Sequence, residues 1–318
     1  LALTDHGHMN GFSHQYLYKK ALEKKGVPFK ALYGCEAYFV NSLSGWQKLY
    51  DEDREKKASD KLAAKLAKSA SKKSSKSNEE EVAQLSLLED LSDQFADTKQ
   101  ELDELTVGTT GIEDEEESKK KSWQNPINKR NHLVLLPKNR EGLYALYRMI
   151  SLSYAEGVYR YPRIDLAMLE KYAKDNIVAS SACVAGSLAS IVFENQPAGL
   201  SWEEWAPNDH NVEFIQEKLK NQIEAFKHSL GKGNDNFYLE LQFNNLLPQH
   251  LVNQHLIEAA KRTNTPLVVT CDSHYARPEL WREREIYKAL AWLSKGGGAA
   301  INPDKIPKHI SELKCELY

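Results

Sequence analysis

The sequence predicts an α/β fold in which strands and helices alternate around a parallel sheet, either open or closed into a barrel. Short apolar stretches typical of strands recur along most of the chain, and longer amphipathic stretches typical of helices lie between them. Hydrophobic residues make up 41 % of the 318 residues, which is enough for a substantial core. Repeated strand-then-helix units imply parallel strands, because each helix returns the chain to the same end of the sheet.

The elements can be placed in chain order from these patterns. The predicted strands cover residues 1–4, 29–32, 37–40, 132–136, 177–180, 237–243 and 266–270. The predicted helices cover residues 11–25, 139–154, 166–172, 212–229, 249–263 and 278–293. Gly26 is a typical stop for the first helix, and Asn139 is a typical cap for the second. The last strand, after Pro266, is apolar enough to be predicted as buried.

Residues 43–125 interrupt this alternation. Residues 54–76 are rich in Lys, Ala and Ser, and residues 79–117 are acidic, so we expect a solvated insertion. Apolar side chains at three- and four-residue spacing predict one short amphipathic helix within it. They are Leu88, Leu91, Phe95, Leu102 and Leu105. A charge-paired helical hairpin and a disordered loop both remain open for the whole segment.

Charge and cysteine usage restrict the class of protein. A formal net charge of -3 argues against a stand-alone, non-specific DNA binder, which would usually be basic. The four cysteines have no C-x-x-C spacing, and no signal peptide or membrane-spanning run is visible, so we expect a cytoplasmic protein with free thiols. The chain starts inside an apolar run and ends without a helix stop signal, so we also expect a fragment of a longer protein.

Six residues of metal-binding types lie at the edges of strand-like stretches and suggest a polynuclear metal centre at one rim of a barrel. They are His6, Glu36, His132, Cys183, Asp272 and His274. A set that mixes imidazole, carboxylate and a thiol suits zinc or manganese and fits calcium poorly. Chemistry in barrels of this kind sits on loops at the carboxyl ends of the strands. His132 departs from that rule because it precedes its strand, and the pattern gives no reason for it.

Asp272 and His274 form the strongest pair of the six. Residues two apart in extended backbone point to the same side, so these two side chains can reach one metal directly after the apolar run at 267–269. A polar loop explains them equally well when they are taken alone.

The other candidates are weaker when each is read alone. For His6, a turn in which Asp5 caps the next helix is the simpler interpretation. Cys183 is of a type that more often fills a core, and His132 fits a hydrogen-bonded core histidine equally well. Glu36 enters an apolar strand, and a cation would offset the cost of burying its carboxylate.

Eight stretches, in a fixed order along nearly the whole chain outside 43–125, carry a family resemblance. They are Ala2-Leu3-Thr4-Asp5-His6-Gly7, Tyr33-Gly34-Cys35-Glu36-Ala37-Tyr38, His132-Leu133-Val134-Leu135-Leu136, Ser151-Leu152-Ser153-Tyr154, Pro162-Arg163-Ile164-Asp165, Ser181-Ala182-Cys183-Val184-Ala185-Gly186, Phe237-Tyr238-Leu239-Glu240-Leu241-Gln242 and Asp272-Ser273-His274-Tyr275. Together they resemble the PHP (polymerase and histidinol phosphatase) domain of the alpha subunit of bacterial-type DNA polymerase III, the family C replicative polymerase.

The resemblance implies a distorted (β/α)7 TIM-like barrel that holds up to three metal ions, zinc or manganese, on the six residues named above. Among them, it implies that His6, Asp272 and His274 take part in catalysis. The family's His-x-His pair and first Asp lie on a strand that would precede Leu1, so the chain is expected to lack the first strand of the barrel. The implied domains are 1–42 and 126–295 for the barrel, 43–125 for the insertion and 296–318 for a link toward the polymerase domains.

The resemblance also implies a function. The full-length protein would be a DNA-directed DNA polymerase of DNA replication, with its magnesium-dependent polymerase site beyond Tyr318. The PHP domain would be a metal-dependent 3′–5′ exonuclease that proofreads by hydrolysing phosphodiester bonds, and the fragment alone would be weak or inactive. Expected partners are the primer 3′ end of DNA and replisome subunits such as the sliding clamp, with no membrane. A non-catalytic metal-binding scaffold and a stand-alone PHP phosphoesterase are the alternatives.

Overall fold

The computed structural model describes residues 1–71, 126–195, 209–231, 234–244, 246–293 and 308–309. The chain divides into two compact units. The first unit comprises Leu1–Ser44 and Lys129–Asp272 and contains all of the described strands. The second unit comprises Gly45–Asn128 and Ser273–Glu316, and its described residues are mainly helical.

The described residues form eight strands and eight helices. The strands are β1 (Ala2–His6), β2 (Leu32–Phe39), β3 (Asn131–Pro137), β4 (Val158–Tyr159), β5 (Tyr161–Ile164), β6 (Ile177–Ser180), β7 (Phe237–Gln242) and β8 (Leu267–Thr270). The helices are α1 (Phe12–Lys24), α2 (Leu43–Ser71), α3 (Arg140–Glu156), α4 (Leu166–Met168, continued by a π-helical turn over Leu169–Ala173), α5 (Ser187–Glu194), α6 (Asp209–Leu230), α7 (Leu247–Thr263) and α8 (Trp281–Leu293). Short 3-10 turns cover Asn234–Asn236 and Pro278–Leu280.

The sheet is mixed rather than wholly parallel. Its strand order is β4-β5-β2-β3-β6-β7-β8, and β1 pairs with β2. β2 pairs in parallel with β1 and β5, and β6, β7 and β8 are parallel to one another. β3 is antiparallel to both of its neighbours, β2 and β6. The α/β class and the distorted barrel are therefore as predicted, but the expectation of an all-parallel sheet is wrong at β3 and at β4, which is antiparallel to β5.

β2 corrects the predicted strand pattern. The predicted strands at 29–32 and 37–40 are one strand, Leu32–Phe39, with Glu36 in its interior rather than at its edge. The hairpin of β4 and β5 was not predicted. It turns at Arg160, whose φ of 62° is left-handed without the glycine that usually signals such a turn.

The core of the first unit lies between the sheet and the long helices α6 and α7. Five α6 side chains at helical spacing are fully buried: Ile215, Leu219, Ile223, Phe226 and Leu230. Phe226 stacks between Phe39 of β2 and Phe237 of β7, with ring centroids 4.9 and 4.8 Å away. This packing fixes one face of the sheet, so the rims are left to carry function.

Two helix ends were predicted correctly from their sequence signals. Asn139 caps α3, since its Oδ1 accepts a hydrogen bond from the Gly142 N–H at 2.8 Å. Gly26 follows α1 with a φ of 70°, the left-handed backbone that glycine adopts at little cost. The chain therefore enters and leaves these helices where the local chemistry dictates.

β8 and α2 differ from expectation in opposite ways. The predicted buried strand after Pro266 is partly exposed, with Leu267 at 42 % and Val269 at 60 % of full exposure. α2 opens the expected insertion, yet Leu43 and Trp46 in its first turn are buried. The amphipathic stripe predicted over residues 88–105 lies outside the described residues. No helix in the described ranges is both long and apolar enough to cross a membrane.

Candidate metal centre

The register of β1 and β2 places His6 beside Glu36. The two residues are direct partners in this parallel pair, and the N–H of Gly7 donates to the carbonyl of Glu36 at 2.8 Å. β2 is longer than β1, so Glu36 inside β2 is level with the end of β1. The interior position of Glu36 and the terminal position of His6 therefore meet at the same rim.

The reversed direction of β3 brings His132 to the same place. In an antiparallel strand the first residues lie at the rim where its parallel neighbours end, and His132 pairs across from Tyr38 of β2. The His132 N–H also donates to the carbonyl of Ala185, in the loop after β6. This explains why His132 precedes its strand while His6 ends one.

His6, Glu36 and His132 form a compact group of potential ligands. The ligand atoms that the three residues offer all lie within 4.8 Å of one another. Oε1 of Glu36 is 2.6 Å from Nδ1 of His132, and Oε2 is 3.8 Å from Nδ1 of His6. Because ligand atoms sit about 2.1 Å from a zinc ion, two atoms on one ion lie up to about 4.2 Å apart. The 3.8 Å contact is within that limit, whereas 2.6 Å is a hydrogen-bonding distance and the 4.8 Å span slightly exceeds the limit, so small side-chain shifts would let the three residues share one or two ions.

Cys183 adjoins this group through His132. Its Sγ is 3.6 Å from Nδ1 of His132 and receives the Ala185 N–H at 3.4 Å. The turn that presents it starts at Ala182, whose φ of 58° is unfavourable for a residue with a side chain by about 1 kcal/mol. Gly186 closes the turn, because a Cβ there would lie 2.1 Å from the carbonyl oxygen of Ser181.

Negative charge is concentrated around the Cys183 sulfur. Burial, first of all, raises the pKa of this thiol well above its usual value, and the carboxylates of Glu36, Asp272 and Glu240 raise it further. A cation bound among these groups would reverse that effect and favour the thiolate, which is the form that ligates metals. The donor set therefore fits a cationic metal, and its mixture of N, O and S atoms suits zinc or manganese.

Tyr38 is a component of the site that the sequence reasoning missed. Its ring centroid lies 6.1 Å from that of His6 in a stacked arrangement and 5.5 Å from that of His132. Burial is the main cause that raises the pKa of its hydroxyl above the usual range, so the ring acts as a neutral wall. The signal was available, because Glu36 and Tyr38 are two apart in a strand and point to one side.

Asp272 and His274 belong to different units of the chain. Asp272 ends the first unit in a left-handed backbone, with a φ of 50°, and its charge is felt at Cys183. His274 is exposed and belongs to the second unit, so its place among the ligands stays a prediction. The first unit thus brings five of the six predicted residues toward one rim.

Asp5 and Arg163 have structural roles. Asp5 accepts the N–H of Gly11 at 2.7 Å and so holds the loop that leads into α1. Arg163 belongs to the stretch Pro162-Arg163-Ile164-Asp165 that carries part of the family resemblance. Its side chain is almost fully buried and donates to the carbonyls of Lys129, Tyr159 and Tyr161.

Comparison with known proteins gives a consistent set of relatives. The family model of the PHP domain matches residues 1–244. The chain is 36 % identical over 192 residues to DNA polymerase III subunit alpha of Aquifex aeolicus (strain VF5), a match that covers 58 % of this chain and 15 % of that protein. It is 34 % identical over 148 residues to the same subunit of Borreliella burgdorferi, covering 46 % and 11 %. With the subunit of Thermus aquaticus it shares 29 % over 159 residues, covering 50 % and 11 %.

These matches cover only a small part of each relative. The chain spans about one seventh or less of the length of these alpha subunits. The part that matches the family model contains His6, Glu36, His132 and Cys183, whereas Asp272 and His274 lie beyond residue 244.

Proposed function

The chain belongs to the PHP domain family and is homologous to DNA polymerase III alpha subunits, and on that premise we propose that it is the metal-dependent hydrolytic domain of a replicative DNA polymerase. The proposed reaction is hydrolysis of phosphodiester bonds at the 3′ end of a primer, which is a 3′–5′ exonuclease activity with a proofreading role. The full-length protein would then be a DNA-directed DNA polymerase of DNA replication.

The observation that carries the proposal is the group formed by His6, Glu36 and His132. Their ligand atoms lie within 4.8 Å of one another, with the sulfur of Cys183 beside His132. Burying Glu36 with so little exposure is costly unless its carboxylate is compensated. The two imidazoles and a cation bound between them would provide that compensation.

Each side chain has a proposed task in this centre. Zinc or manganese ions, up to three in the intact domain, would lower the pKa of a bound water molecule. They would also place positive charge next to the phosphate. Glu36 orients both imidazoles, since each of its oxygens faces a different ring. Tyr38 covers the imidazoles of His6 and His132 and excludes water from that side.

The remaining roles are proposed from the sequence and from proximity. We assign the chemistry to His6, Asp272 and His274, and Asp272 is the one whose charge is felt at Cys183. The proposed partners are the primer 3′ end of DNA and replisome subunits such as the sliding clamp, which other parts of the full-length protein would contact. A cytoplasmic location and magnesium at the polymerase site belong to the same proposal.

A stand-alone phosphoesterase is the weaker alternative, because the relatives described above are polymerase alpha subunits. A scaffold that binds metal without hydrolysing DNA is the stronger one, and activity measurements separate it from the exonuclease. Bound zinc or manganese without any hydrolysis by the full-length protein would favour the scaffold.

The test uses the full-length protein and a 5′-labelled primer with a mismatched 3′ end. Removal of metal with a chelator should stop shortening of the primer, and added zinc or manganese should restore it. Asp272→Asn keeps the shape of the side chain but removes its charge, so it should abolish shortening while polymerisation continues. The matched control is Glu194→Gln, which alters an exposed carboxylate paired with Lys129 and should retain activity. Metal-independent shortening, or shortening that survives Asp272→Asn, would refute the exonuclease.

A further inference from the structure

Glu240 is a buried carboxylate that joins three strands. It lies on β7, and its Oε2 accepts a hydrogen bond from the Ser180 hydroxyl of β6 at 2.5 Å. Its Oε1 accepts from the Thr270 hydroxyl of β8 and from the Gln242 amide at 3.1 Å. The backbone N–H of Glu240 donates to the Ser181 hydroxyl at 2.8 Å. One side chain thus holds the ends of two strands that are not neighbours in the sheet.

The two anchored residues stand at the same distance from two strained turns. Ser180 is the last residue of β6, and two residues later Ala182 has a φ of 58°. Thr270 is the last residue of β8, and two residues later Asp272 has a φ of 50°. Left-handed backbone at a residue with a Cβ persists only where the surrounding structure fixes it. The hydrogen bonds to Glu240 fix the chain directly before each turn.

These turns present two of the predicted metal ligands, Cys183 directly after Ala182 and Asp272 itself. The turn after β6 has further support, because Gly186 donates its N–H to the carbonyl of Cys183 at 2.9 Å. The turn after β8 has less backbone support, since β8 pairs only with β7 among the described strands. The tie from Thr270 to Glu240 is therefore a side-chain restraint on the last residue of β8 that adds to its pairing with β7.

We propose that Glu240 is a positioning residue of the metal centre, whose carboxylate sets the spacing of Cys183 and Asp272 by holding Ser180 and Thr270 together. The inference rests on the proposed metal-binding function. A carboxylate suits this task because both of its oxygens accept hydrogen bonds, so it can receive all three donors at once. A glutamine has one accepting oxygen, so the hydroxyl that faces its amide must accept instead of donate and turn its own proton elsewhere, and the charge that strengthens these hydrogen bonds is lost.

Metal affinity tests the inference with a matched pair of isosteric variants. Thr270→Val removes the hydroxyl that reaches Glu240. Thr265→Val removes a buried hydroxyl just before the other end of β8, where Thr265 contacts Thr263 at 2.7 Å. Zinc and manganese affinities of the chain are measured by competition with a chelator, together with its thermal unfolding. Thr270→Val and Glu240→Gln should each weaken metal binding about tenfold or more, as loss of groups that orient ligands does. Thr265→Val should leave the affinity unchanged.

Thiol labelling of the metal-free chain provides a second readout that is independent of metal binding. Labelling at each cysteine is followed by peptide mass spectrometry. Cys183 should react faster in Glu240→Gln than in the wild-type chain, because its turn loses an anchor. Cys35 is fully buried, and burial raises the pKa of its thiol to about 12, so it reports general unfolding and should stay protected.

The outcomes separate the inference from the proposed function. A wild-type chain that binds neither metal, together with faster Cys183 labelling in Glu240→Gln, would remove the metal centre but retain the restraint on the turn. Wild-type binding with unchanged affinity in both Glu240→Gln and Thr270→Val would overturn the role of Glu240 alone. Equal losses of metal affinity in Thr265→Val and Thr270→Val would show that Glu240 contributes only to general stability. Faster labelling of Cys35 along with Cys183 would show the same, and either result would overturn the positioning role.

Discussion

β2 and β8 each carry or lead into predicted metal ligands, yet the sheet supports them very differently. β2 has strands on both edges, with β1 and β5 on one side and β3 on the other, and its last six residues are buried. β8 pairs only with β7 among the described strands, and its Leu267 and Val269 are well exposed. Glu36 in β2 lies close to the donor atoms of His6 and His132, whereas Asp272 lies in a turn of left-handed backbone after β8.

The difference indicates that the two sides of the proposed metal centre depend on different kinds of support. On the β2 side, the pairing of β1 and β3 with β2 sets the backbone positions of His6, Glu36 and His132. On the β8 side, where β7 is the one partner strand in the described part of the chain, a side-chain tie to Glu240 adds to the backbone pairing. We therefore expect substitutions on the two sides to separate metal retention, fold stability and activity.

The largest expected effect separates the two sides by metal content. Glu36→Gln should reduce bound zinc or manganese to background, because the two imidazoles lose the charge between them, and hydrolysis by the full-length protein should fall by at least about 100-fold. Asp272→Asn should lose hydrolysis but keep part of its metal, since the group formed by His6, Glu36 and His132 is intact. Elemental mass spectrometry measures the metal, and Glu194→Gln is the control. Full metal content in Glu36→Gln would show that the β2 side does not bind the metal.

A second comparison concerns the stability of the two strands' surroundings. Leu135 of β3 packs against β2 and is fully buried, so Leu135→Ala should destabilise the chain by about 2–5 kcal/mol. Val269→Ala, on the exposed side of β8, should change the free energy of unfolding by no more than about 0.5 kcal/mol. Urea unfolding followed by circular dichroism measures both. Similar losses in the two variants would contradict the distinction between the strands.

A smaller effect is expected where α3 meets β3. Asn139→Ala removes the oxygen that accepts the Gly142 N–H, and loss of a helix cap of this kind costs about 1 kcal/mol. Asn139→Asp retains an accepting oxygen and should stay close to wild type. The same urea titration measures both variants, and equal stabilities for alanine and aspartate would show that the cap does not stabilise α3.

The smallest effect on stability is expected for residues 47–121, which we assign neither to the surroundings of β2 nor to those of β8. Replacing residues 47–121 of the full-length protein by a short linker keeps Leu43 and Trp46 and should leave the unfolding midpoint nearly unchanged, because closure entropy depends weakly on loop length. Loss of the cooperative transition would place the segment in the core. If the fold survives but DNA binding weakens, the basic residues 54–76 become candidates for phosphate contact, and that binding should be strongly salt-dependent.

Much of the fold could be predicted because its longer elements have strong local signals. The bounds of α1, α3, α6 and α7 lie within a few residues of those predicted, since their periodicity and end signals are local. The direction of β3 could not be predicted, because an apolar run shows that a strand exists but not which way it runs. That direction is also what places His132 in the site.

Buried polar residues were the other feature that could not be predicted from the sequence. Glu36 was expected at the edge of a strand but lies inside β2, where a carboxylate is costly unless a partner outside the local sequence compensates it. His255 lies in a helical and polar stretch of the sequence, yet it is buried on α7 with its Nδ1 3.3 Å from Nε2 of Gln216 of α6, and burial lowers the pKa of its imidazole. Local polarity cannot reveal partners that are far away along the chain.

The pairing of β2 with β3 also has a consequence for synthesis. Phe39 pairs with Asn131, so residues 40–130 must be translated between the two halves of this pair. At roughly 5–20 residues per second, β2 leaves the ribosome on the order of ten seconds before β3. During that time the edge of β2 is open to wrong pairing, and His6 and Glu36 have no His132 to complete their group. Completion of this group must therefore wait for translation of the interrupting segment, and a translational pause within it would prolong the exposure of the nascent chain.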